Sequence, residues 1–227
     1  MREAATNQAG DPFAAKLRGF GPVGMLAFLV ILSGNLIVPP LSAILVLLWA
    51  RRSRTPWREI GYVRPRSWVR TAGVGVVLGV AFKLAMKALV MPLLGADPVN
   101  HAYHELAGNT AALPGALYLV IAGAGFGEET VFRGYFFERL GKLLASGAAA
   151  KTAIVLLTST LFALAHYHDQ GLAGTEQAAF TGLAFGTLFA RTGEIWLPMV
   201  AHAAFDVAAV AIIYLDAETA IAHLVFR

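Results

Sequence analysis

Apolar residues in this chain gather into runs far longer than the apolar stripe of a soluble helix, and short clusters of charge separate them. Five runs stand out: Phe20 to Ala50, Thr71 to Leu94, Pro114 to about Phe137, Thr152 to His166, and Gln177 to Asp216, the last dividing at Gly193 into two. Crossing a hydrocarbon core of about 30 Å takes about 20 mostly apolar residues, so the runs read as membrane spans. Period-two alternation is absent, which argues against a β-barrel and for helices, whose backbone hydrogen bonds close within each segment. The predicted fold class is all-α, a polytopic transmembrane bundle of about six to eight membrane helices around a polar cavity.

The first run is long for one helix and short for two, and Val38, Pro39 and Pro40 lie near its middle, so a hairpin is expected there. It is too long for the apolar region of a signal peptide and lacks a clear cleavage site, so it is expected to remain in the mature protein. Residues 1–18 are expected as a flexible cytoplasmic tail, and residues 19–227 as a single integral membrane domain. The boundary between the last two spans falls at Gly193, and a loop is expected over Tyr167 to Glu176.

Composition agrees with the pattern: 57% of residues are hydrophobic, 14% are charged, and mean hydropathy is +0.63, beyond the balance of soluble domains. Charge then orients the spans. Seven arginines, Arg51, Arg52, Arg54, Arg58, Arg64, Arg66 and Arg70, crowd the segment after the first run, which makes it cytoplasmic by the positive-inside rule. Gly95 to Leu113 and Tyr167 to Glu176 carry no Lys or Arg and belong outside, whereas Arg139, Lys142 and Lys151 mark an inner loop. A net charge of +4 reflects this topology and contact with the lipid bilayer; nothing in the chain resembles a nucleic-acid-binding module. Cysteine is absent, so any metal site must be built from His, Asp and Glu. There is no internal repeat of the kind that builds inverted-repeat transporters.

Against this background the stretch GEETVFRG, Gly127 to Gly134, needs an explanation. A charged group at the bilayer centre costs at least about 2.5 to 3.5 kcal/mol, so such groups face the bundle interior and pair or do chemistry. Glu129 and Arg133 stand four apart with the acid first, on one helix face, and are expected as an ion pair. Glu128 lies about 100° further round the helix, unpaired within its own segment, as a candidate general base. Gly123, Gly125 and Gly127 would let another backbone approach closely or break the helix. A helix end reaching a wet interface would also explain these charges, but two more polar pairs sit in apolar spans, Phe162 with His166 and His202 with Asp206, each at i, i+4. Polar groups on three spans must find partners, and the least costly arrangement is that they find each other.

EETVFRG, FALAH and HAAFD resemble the three-part signature of the CAAX prenyl protease 2 family and its bacterial relatives, the Abi-type CPBP intramembrane proteases: EExxxR, FxxxH, then HxxxN or HxxxD. The resemblance covers roughly Trp57 to Tyr214, with the motif core over about 114–214, and TGEIWLPMVAH leads into the third motif. It implies an all-helical membrane endopeptidase acting on membrane-associated protein or peptide substrates, in a bacterial inner membrane. By motif position it implies that Glu128 and His166 activate water and that His202 and Asp206 bind or polarise the scissile carbonyl. Glu129, Arg133 and Phe162 would support them. His101 and His104 fall outside the motifs, in an outer loop that could line an entrance.

Two mechanisms fit such a set. Glu128 and His166 could deprotonate water directly, with His202 and a donor at position 206 holding the oxyanion, or Glu128, His166, His202 and Asp206 could hold a divalent metal such as zinc. An ionised Asp206 accepts hydrogen bonds but cannot donate one, which tilts this reading slightly toward a metal. A catalytically silent scaffold or immunity or maturation factor, or a proton-coupled transporter, are the functions from other classes.

Overall fold

The computed structural model describes residues 11–144 and 146–226, and its regular structure is helical, with no strand among the described residues. The helices are α1 (Pro12–Arg18), α2 (Pro22–Ser33), α3 (Leu41–Arg52), α4 (Trp68–Leu93), α5 (residues 113–143), α6 (Ala148–Thr192), α7 (Trp196–Tyr214) and α8 (Glu218–Ala222). Among the described residues three, α4, α6 and α7, are long and apolar enough to cross a membrane. The architecture is the all-α membrane bundle that the apolar runs predict.

The first run is a helical hairpin, α2 and α3, closed by a reciprocal clasp. The Ser42 backbone N–H donates to Asn35 Oδ1 at 3.1 Å, and the Asn35 N–H donates to Ser42 Oγ at 2.9 Å. Ile31 of one arm and Val46 of the other pack in one core cluster with Trp49 and Tyr135. Twelve residues make an arm of about 18 Å, short of the hydrocarbon core, so neither arm spans alone.

Residues 12–18 correct the expectation of a free tail. Asp11 caps α1 by accepting the N–H groups of Phe13 and Ala14, and the carbonyls of Leu17 and Arg18 take hydrogen bonds from Trp49 Nε1 and Arg139 Nη2 at 3.0 and 2.8 Å. Met1 to Gly10 of that tail lie outside the described residues.

The loop expected over Tyr167 to Glu176 is also corrected: α6 runs through it, and the only non-helical residue inside α6 is Gly171, with φ 61° and ψ −158°. A side chain at this positive φ would be strained, so glycine is what lets the chain reverse within one residue. The two arms of α6, each about 30 Å long, then run side by side. A Cβ on Gly182 would lie 3.0 Å from Ser159 Cβ, and one on Gly186 3.4 Å from Val155 Cγ1, a small-residue seam between antiparallel helices.

α7 lies between α4 and α5 at close range. A Cβ on Gly79 would strike the backbone oxygen of Ala201, and one on Gly125 would sit 2.7 Å from Ala203 Cβ. The glycines before the two glutamates therefore admit a neighbour and do not break the helix; α5 instead widens into i→i+5 turns over Leu119–Glu128 and Thr130–Phe136. Such π-turns are frequent at functional sites.

Loops sort to two ends. At one, Glu59 meets Arg18 and Lys142, and the Ile195 N–H donates to Gly61 O, joining α1, the arginine-rich segment, α5 and the α6–α7 turn. At the other, Tyr103 meets Gln170, Gly108 meets Tyr214, and Glu218 meets Lys87.

Candidate active site

Helix geometry delivers the first contacts. Glu129 and Arg133 of α5 form the expected i, i+4 pair, Oε1 to Nη1 2.8 Å, with both side chains fully buried. Arg133 is further held by Gly182 O at 3.2 Å on α6 and lies over the ring of Phe162 at 4.9 Å. The close packing of α7 on α5 then brings His202 onto the same carboxylate: its Nδ1 donates to Glu129 Oε1 at 2.7 Å. Glu129 therefore reaches across 73 residues to orient an imidazole as well as pairing with Arg133.

With Nδ1 occupied, His202 presents Nε2 to two more carboxylates, Asp206 Oδ2 at 3.4 Å and Glu128 Oε2 at 3.8 Å. Glu128 Oε2 is buried and has no hydrogen-bond partner, although a quarter of the Glu128 side chain remains exposed. That exposure faces a cavity of about 400 Å³ that Glu128 lines together with His166, Tyr103, Asp169 and Gln170, and with Asn35 of the hairpin. His166, like His202, uses Nδ1 toward its own helix bundle. Its Nδ1 donates to the Phe162 carbonyl one turn back at 2.8 Å, leaving Nε2 with a free lone pair. The Phe162 ring packs on both imidazoles, with centroids 4.5 Å from His166 and 5.9 Å from His202.

Residues 110–208 match the family described as Type II CAAX prenyl endopeptidase Rce1-like. Over this segment, 99 of the 227 residues, the chain is similar to that family. No curated protein and no solved structure matches the chain. The Rce1-like segment holds every motif residue discussed above, so the three-part signature and the family match rest on the same helices, α5 to α7.

Of the residues named from sequence, Glu128 and Asp206 both approach His202 Nε2, His166 shares the cavity with Glu128, and Glu129, Arg133 and Phe162 are buried beside them. Among the described residues no group of three or more His, Cys, Asp or Glu stands out as placed to hold a metal ion. His101 borders a second cavity, and His104 Nδ1 lies 3.9 Å from Glu218.

Sequence reading missed two pairs of residues. Tyr103 and Gln170, which share a 3.0 Å hydrogen bond at the mouth, come from segments read only as outer loops. Burial holds the Tyr103 phenol above its ordinary pKa. Lys83 and Lys87 sit inside a span read simply as apolar, and both are buried. Two lysines at i, i+4 in an apolar run were the available signal for them.

Proposed function

We propose that the chain is an intramembrane endopeptidase that hydrolyses a peptide bond of a membrane-associated substrate with Glu128 as the general base. The observation that carries this reading is the division of labour between adjacent carboxylates. Glu129 is sealed between Arg133 and His202, while Glu128 keeps a buried, unpartnered oxygen at the wall of a cavity. Water held there transfers a proton to Glu128 as its oxygen adds to the scissile carbonyl carbon. The proton then passes to the departing amine as the C–N bond breaks. His166 Nε2 shares the proton handling, and His202, protonated on Nε2 and braced by Glu129, donates to the oxyanion.

This reading routes no step through a metal. Asp206→Asn tests this. It keeps the shape of the side chain and supplies an amide donor, so turnover is expected to stay within about ten-fold of wild type, with no stoichiometric metal in the purified protein. If instead both metal content and turnover collapse, the metal-free reading is refuted.

The orientation proposed from charge places Arg51 to Arg70 in the cytoplasm and His101 outside. The native chain has no cysteine, so single introduced cysteines report cleanly. Both His101 and Arg66 are exposed. In sealed inside-out and right-side-out vesicles, a membrane-impermeant maleimide should label His101→Cys only from outside and Arg66→Cys only from the cytoplasmic side; the reverse pattern would invert the topology.

A further inference from the structure

The second cavity, about 190 Å³, adjoins the first through Gln170, which lines both. Its rim is open at Asp97 and His101, which are largely exposed, and its inner wall carries Lys83, only 6% exposed. The other charged groups lining this cavity are already engaged. Lys87 Nζ binds Glu218 Oε1 at 2.9 Å and also the Pro98 carbonyl, while Glu218 takes a further hydrogen bond from the Asn100 N–H. Asp97 accepts from the Val99 N–H at 2.8 Å and pairs with His101 at 3.2 Å, contacts that hold its carboxyl below the usual carboxylate range.

Lys83 is different. Its ammonium donates to the neutral Gln177 Oε1 at 2.9 Å and lies 4.9 Å from the centre of the Phe205 ring, and it has no carboxylate within 4 Å among the described residues. An ammonium has three donors, this one gives one to a neutral amide, and the carboxylates that act on it from a distance, Asp206 and Glu218, make no ion pair with it within 4 Å. Phe205 immediately precedes Asp206, so this cation stands one residue along α7 from the candidate site. It belongs to α4, outside the segment that matches the family.

We propose that Lys83, with Gln177 beside it, is the floor of an anion subsite that takes a carboxylate of the peptide lying in the neighbouring cavity. The chemistry is that of an ammonium–carboxylate pair in a partly dehydrated pocket, and the carboxylate is either the free end of the chain or an acidic side chain. The inference takes its substrate, a peptide, from the endopeptidase reading, so its test measures binding and not cleavage.

The probe is a fluorophore-labelled apolar hexapeptide in three forms, with a free C-terminal carboxylate, with a C-terminal amide, and as an amide carrying one internal Asp. Each is titrated by anisotropy into purified Glu128→Gln protein in detergent. The free-acid or the Asp-bearing peptide is expected to bind about ten-fold or more tightly than the plain amide, and whichever does identifies the source of the carboxylate. Lys83→Met in the same background should remove that preference, and Lys83→Arg, which keeps the charge, should retain most of it. Equal binding of all three peptides, or a preference that survives Lys83→Met, overturns the subsite. Should Lys83→Met fail to fold, Lys83→Arg and the three peptides on the parent protein still decide it. Loss of cleavage by the wild type would bear on the endopeptidase reading alone.

Discussion

Glu128→Gln is expected to leave membrane-protein substrates uncut, with turnover falling by at least about 10²- to 10⁴-fold, while the protein folds as before. The amide has nearly the shape of the carboxylate but cannot take a proton from water. Folding should survive because Glu128 Oε2 makes no hydrogen bond, and His202, 3.8 Å away, keeps Glu129 and Asp206 as acidic neighbours when the Glu128 charge is removed. The scaffold of Glu129, Arg133 and His202 stays intact behind it. The check is a comparison of cleavage products after membrane proteins are incubated with each purified protein, alongside thermal unfolding in detergent. Identical product patterns would demote the chain to a non-hydrolytic scaffold.

That prediction was available in outline from the sequence, since local periodicity makes i, i+4 partners legible. Glu129 with Arg133 and His202 with Asp206 occur in space as their spacing requires, at 2.8 and 3.4 Å. The bond from His202 to Glu129 was not legible, because it depends on how closely α7 packs on α5, and that is decided by the small residues Gly125 and Ala203. The reversal at Gly171 was hidden for a different reason. A one-residue break leaves no proline or polar cluster of its own, and the expected loop from Tyr167 is helical on both sides of Gly171, with Asp169 and Gln170 facing a cavity. α1 was misread because seven residues are too few for a periodic signal, and its order comes from Trp49 and Arg139 far along the chain. The unexplained cation at Lys83 was in plain view, and the rule that ionisable groups within spans are functional applied to it as much as to Glu128.

Glu129→Ala is expected to have the opposite balance of effects from Glu128→Gln, with a loss of stability of about 3 to 5 kcal/mol, because it leaves the Arg133 guanidinium buried without its counter-charge. The remaining contacts of Arg133, one carbonyl at 3.2 Å and the faces of Phe162 and Phe185, do not neutralise it. Activity should fall too, since His202 Nδ1 loses its acceptor and the ring is free to turn its Nε2 away from Glu128 and Asp206. A double variant separates the two roles. Glu129→Leu with Arg133→Met replaces the ion pair by apolar groups of similar length, a change that often restores stability in buried pairs. The double variant should therefore unfold near the wild-type temperature and yet remain at least about ten-fold slower, because nothing returns an acceptor to His202. Wild-type turnover in the double variant would reduce Glu129 to a counter-ion for Arg133, and wild-type stability in Glu129→Ala would show that the pair does not hold the bundle together.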